Sequence, residues 1–163
     1  MSLSNPVLAT DLQRAQAIMG RYMAAQTRWQ DNLAALLIAY KPEFKQIAEA
    51  QRDHQHALIA LKRARFNYLF KHHPQRLDTG ELGRYTNFTW SEADTAAAAA
   101  ADPGYSELEQ ELSRTRAIED QQPQREAFRQ YFQAEFAQSE DFQQELKRFQ
   151  DELEEIKREG SIE

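Results

Sequence analysis

Phe128, Phe132, Phe142, Leu146, Phe149, Leu153 and Ile156 fall on one 4-3 spacing, broken only at Glu135 and Ser139, with Phe136 beside the first gap. An apolar repeat of this kind belongs to a helix that meets other helices along a narrow seam. It predicts one helix over residues 124–158, about 50 Å long at 1.5 Å per residue. Such a helix cannot bury its seam alone, so the rest of the chain is read as its partners.

The partners are visible. Leu12, Ala15, Met19, Tyr22, Gln26, Trp29, Leu33, Leu36 and Tyr40 repeat the same spacing, and Ile18, Met23 and Leu37 widen the stripe. A broad stripe faces more than one neighbour. A helix over 10–40 is expected, with Thr10 as its cap and Asp11 in its first turn. The phase runs on past Pro42 through Ile47, Ala50, His54, Ala57, Leu61, Ala64 and Tyr68. The second segment, about 43–72, is therefore expected to follow a kink at Pro42 more readily than a turn. It ends at His72-His73-Pro74, because a residue before proline is pushed out of the α region.

Residues 74–91 read as an irregular aromatic loop, with turn signals at Asp78-Thr79-Gly80 and Leu82-Gly83 and with Tyr85, Phe88 and Trp90 packing back on the helices. Ser91 with Asp94 has capping-box spacing before a helix over 92–101 that contains six consecutive alanines. Asp102-Pro103-Gly104 reads as a break, and Ser106 with Glu109 as the cap of a helix over 106–120. Gln122-Pro123 marks a further kink or turn.

With few Gly and Pro, and with Ala, Gln, Glu, Leu and Arg prominent, the expected class is all-α in one domain over 1–163. Two arrangements stay open: an antiparallel long-helix bundle, or a kinked helical hairpin whose coiled-coil-like heptad seams pair residue 10 with about 155. The hairpin would set Pro42 and Pro123 at one level. The longest strongly apolar run, Leu33–Tyr40, is far short of the roughly 20 residues of a membrane span. With no signal-peptide pattern at the N-terminus, a cytoplasmic location is expected.

The net charge of −6 is unevenly spread: residues 1–40 carry +1, 41–76 carry +5, 77–106 carry −4 and 107–163 carry −8. The basic stretch Lys62, Arg63, Arg65, Lys71 and Arg76 alternates with aromatic residues. That pattern suits phosphates and bases. The acidic chain as a whole, at pI near 5.3, argues against it. Pairing of these cations with Glu107, Glu109, Glu111, Glu119 and Asp120 is the plainer expectation.

Catalytic patterns are weak. The chain has no Cys, no Walker lysine loop and no nucleophile-elbow serine. His54/His56 and His72/His73 are not spaced to chelate together on a helix, and Asp53 with His56 lacks the second motif of a dimetal bundle. No catalytic residue, cofactor or metal is assigned, and an enzyme is not expected. A helical-bundle metalloprotein or enzyme is the third-ranked reading. The leading expectation is a protein–protein interaction, scaffold or structural module that binds a protein partner or itself. Its surface would be an apolar strip at Ile59, Phe66 and Phe70. Nucleic-acid binding through 62–76 is the second. Beyond Phe142, Glu145 and Glu152 take flanking heptad positions, facing either another copy or residues 10–40 of their own chain.

Overall fold

A computed structural model describes residues 6–77 and 87–160, and these are all-helical. Six α-helices follow in order: α1 Pro6–Tyr40, α2 Lys45–His72, α3 Glu92–Ala101, α4 Pro103–Asp120, α5 Arg125–Ala134 and α6 Glu140–Gly160. No described helix is long and apolar enough to cross a membrane. Asp78–Gly80, Leu82, Gly83 and Tyr85 lie outside the described residues.

Several boundaries differ from the sequence expectation, each for a local reason. Pro42 marks a turn. Lys41, the residue before it, is held extended (φ −139°, ψ 83°), and Pro42–Phe44 form one 3₁₀ turn that leads into α2. The steric effect of proline on its predecessor outweighs the continuous heptad phase. Because Asp31 meets His56 across the two helices, α2 runs back along α1. Pro123 likewise sits in a tight turn, closed by Gln122 N–H to Glu119 O (3.2 Å) and Arg125 N–H to Gln122 O (3.2 Å). The kinked-hairpin register is not adopted, since Arg21 already faces Glu159 and Arg28 faces Glu152.

The helix expected over 124–158 is two helices. Glu135 leaves the helical region (φ −123°, ψ −56°), Phe136–Gln138 make a 3₁₀ turn, and Ser139 is extended (φ −70°, ψ 148°). Ser139 then caps α6: its Oγ accepts from Phe142 N–H (3.2 Å) and donates to Phe136 O (2.7 Å). Glu140 and Asp141 follow in the first turn, where carboxylates suit the helix dipole. The two residues that interrupt the apolar repeat are thus the two that interrupt the helix.

At the other joints, α1 begins at Pro6 instead of at Thr10, with proline at a first-turn position where its missing N–H costs nothing. The helix expected from Ser106 starts three residues sooner. Asp102 is the single non-helical residue, its side chain accepting from Gly104 N–H (2.9 Å) with Pro103 at the first helical position. Ser91 and Asp94 do form the expected capping box.

The principal packing pairs are α1 with α2, α1 with α6, and α2 with α4. The core falls into three clusters. One gathers Ile18, Met19 and Met23 of α1 with Phe66 and Leu69 of α2 and Ile156 of α6. The second, near the α1–α2 turn, joins Leu37, Phe44 and Ile47 to Phe128, Phe136 and Phe142. Here α5 lays Phe128 and Tyr131 against Phe44, both rings 5.5 Å away. A third, smaller cluster of Leu61, Ala98 and Tyr105 holds α3 and α4 on α2.

Candidate functional site

A half-open groove of about 760 Å³ lies over the α1–α2 pair, with α4 on one side, α6 on the other and residues 87–90 at one end. The volume falls in the range of ordinary ligand clefts. Its floor is built by helical spacing. Gln26, Trp29 and Gln30 come from α1, and Gln55, Leu58, Ile59 and Lys62 from successive turns of one α2 face.

The α6 side is apolar. Trp29 stacks on Phe149 with ring centroids 5.1 Å apart and planes within 14°, and its other neighbour, Phe142, is 5.9 Å away. Ion pairs border this seam: Arg28 with Glu152 and Arg21 with Glu159, while Asn32 Nδ2 reaches Glu145 Oε2 at 3.4 Å. The outer helix therefore spends Glu145 and Glu152 on its own chain.

Across the groove the wall is polar and tightly bonded. Arg65 Nε donates to the Tyr105 hydroxyl (3.0 Å) and Arg65 Nη2 to Glu109 Oε1 (2.9 Å), while Tyr105 itself donates to Glu109 Oε1 (2.6 Å). The Arg65 guanidinium also stands 5.2 Å over the Trp90 ring, a cation–π contact. Burial works against the charge on Arg65, but its bonds to Tyr105 and Glu109 outweigh this and raise its pKa. For Glu109 burial pushes upward, and the bonds from Tyr105 and Arg65 bring it below its usual range.

Residues 87–90 are pinned by a second cation. Arg76 donates through Nη1 to Asp94 Oδ1 (2.8 Å) and through Nη2 to Asp94 Oδ2 (2.9 Å) and the Thr89 carbonyl (2.9 Å). Arg76 and the Ser91 backbone hold the Asp94 carboxyl far below the usual carboxylate range. Trp90 Nε1 donates to Thr95 Oγ1 (2.9 Å), fixing the ring against Tyr68 and Tyr105.

Among the described residues the cations facing the groove are Lys62, Arg65 and Arg116, and no Asp or Glu lines it. Arg65 is neutralised by Glu109. Among the described residues Lys62 and Arg116 form no ion pair. Burial lowers the Lys62 pKa, a sign that its ammonium is partly stripped of water with no carboxylate in return.

The structure distributes the sequence candidates unevenly. Ile59 lines the groove. Phe66, expected in an uncovered strip with it, is 1% exposed in the core, and Phe70 stacks beside it at 6.2 Å. The three do not share an exposed face, because α1 and α6 cover the Phe66 side. Of the basic stretch, Lys62 faces the groove, Arg65 and Arg76 are bound by carboxylates, Arg63 is exposed, and Lys71 borders a smaller cleft of about 280 Å³ beside Tyr68 and Tyr105. His54 Nδ1 lies 3.2 Å from Thr115 Oγ1. His56 Nε2 is 2.8 Å from Asp31 Oδ1, a close approach without hydrogen-bond alignment. Among the described residues no group of three or more His, Asp or Glu is placed to hold a metal.

Trp29 and Phe149 were visible as seam residues but not as groove walls. Arg116, on a helix with thin apolar content, carried no signal. The chain matches no protein-family model, no curated protein and no solved structure, so its reading rests on its own residues.

Proposed function

We propose that this protein is a non-enzymatic interaction module. In this reading its long helices form an antiparallel bundle left open on one side, and the groove over α1 and α2 receives a segment of a protein partner. The observation that carries the reading is the groove itself. Four aromatic rings, Trp29, Phe88, Trp90 and Phe149, line a cleft flanked by α4 and α6. An aromatic-walled cleft between helices is a common seat for an amphipathic helix. Ile59 remains the partner-contacting residue of the expected strip, while Phe66 and Phe70 serve the core. Nucleic-acid binding through 62–76 is less well supported, because Arg65 and Arg76 already have carboxylate partners.

A photo-crosslinking residue at Ile59 in the full chain, expressed in its host, tests the reading. Discrete adducts are expected there and not from the exposed Gln133 of α5. Equal labelling from both positions, or none from Ile59, would contradict it.

A further inference from the structure

The groove is electropositive on a chain that is acidic overall, and that contrast identifies its occupant. Lys62 projects from the α2 floor and Arg116 from the α4 wall, and among the described residues neither has a carboxylate partner and no acidic side chain lines the cleft. Yet the exposed faces of the flanking helices carry acid: Glu154 and Glu155 on α6, besides Glu111 and Asp151, which pair with Arg114 and Lys147. An anion is drawn to the groove in preference to these outer faces.

We propose that the groove binds an acidic amphipathic helix of a partner protein, its apolar face on Trp29, Ile59 and Phe149 and its carboxylates on Lys62 and Arg116. This rests on the interaction-module reading above and adds the chemistry of the partner. The dimensions suit a helix. The α2 floor from Gln55 to Arg65 spans roughly 15 Å at 1.5 Å per residue, about three turns. A cleft open on one side seats about half of a helix 10–12 Å wide. A nucleic acid fits less well, since its phosphates are evenly repeated and would continue past Lys62 and Arg116 onto a chain that is acidic overall.

The protein's two tryptophans, Trp29 and Trp90, both line the groove, so their emission reports its occupancy directly. The probes are three synthetic amphipathic peptides of about four turns, alike on the leucine face and carrying Glu, Gln or Lys on the flanks. The Glu peptide is expected to bind most tightly, and binding weakens as salt is raised. In the Lys62→Gln/Arg116→Gln variant, checked for unchanged helicity and thermal midpoint, its affinity falls about tenfold. In a Lys62→Glu/Arg116→Glu variant the preference reverses towards the Lys peptide. Equal affinity for Glu and Gln peptides would overturn the acidic assignment while leaving groove binding, and the interaction-module reading, intact. Binding of none of the peptides would also overturn the assignment; the module reading is then judged by the crosslinks from Ile59. A single-stranded oligonucleotide that changes the tryptophan emission and displaces the Glu peptide would overturn it in favour of nucleic acid.

Discussion

The two helices that flank the groove are held by different physics. On one side α6 lies along α1 through Phe142, Phe149 and Ile156, with Trp29 stacked between rings and the charges at the rim. On the other, α4 has few apolar side chains, and Arg65, Tyr105 and Glu109 bond it to α2. Thr115, 2% exposed, adds a buried polar contact, since its hydroxyl donates to Glu111 O (2.9 Å) and meets His54. The apolar seam depends on area and shape. The polar one depends on every partner being present, because a buried group left unpaired costs its full desolvation. A groove with one apolar wall and one bonded wall offers a partner both grip and direction.

The contrast predicts a ranking of mutational effects. Phe142→Ala empties a site packed against Trp29, Phe132 and Phe136, and should cost about 3–5 kcal/mol in urea unfolding. Arg65→Met should cost less overall, about 2 kcal/mol, but orphan Glu109 and Tyr105. Hydrogen exchange should then quicken in 103–120 and stay unchanged in 140–160. Ser139→Ala removes the α6 cap and should cost about 1 kcal/mol. Arg28→Ala, at an exposed rim pair, should change stability by under about 1 kcal/mol. Equal effects of Arg65→Met and Arg28→Ala would erase the distinction between the two walls.

Acid should separate the walls as well. Asp94 and Glu109 have folded-state pKa values below their ordinary ones. The unfolded chain therefore takes up protons first. Their contribution is complete above the ordinary carboxylate range, about pH 4, and is lost as pH falls through the lower folded values. Exchange in 92–120 is expected to rise below about pH 4 before that in the apolar α1–α6 seam. Simultaneous loss of both would show that the polar wall is not the acid-sensitive one.

These two walls also differ in how much of them was legible. The α1–α6 seam was written in period: Trp29, Phe142, Phe149 and Ile156 sit where a 4-3 repeat puts them. The interruptions at Glu135 and Ser139 were visible too. Their meaning depended on Ser139-Glu140-Asp141 being read as a helix start instead of as gaps in a longer helix. Pro42 shows a similar competition, where preserved phase suggested continuity and the extended Lys41 made a turn. The polar wall left little trace. Arg65 and Glu109 stand far apart in the chain, and only the fold-back at Lys41–Phe44 and the short joint at Asp102 bring their helices together. Pairing of the basic stretch with Glu109 could be expected from charge, but not the fixing of Trp90 beneath Arg65 or that Lys62 and Arg116 find no carboxylate among the described residues. Phe66 misled because helical spacing assigns a residue to a face without saying what covers that face.

The most direct test uses the indole N–H resonances of Trp29, in the floor beside α6, and Trp90, at the end of the groove, in a two-dimensional NMR spectrum. Titration with the Glu-flanked amphipathic peptide should shift both, saturably and together, because a helix seated in the groove lies against the floor and reaches its end. If neither resonance moves while the peptide binds elsewhere, the groove is not the interaction site.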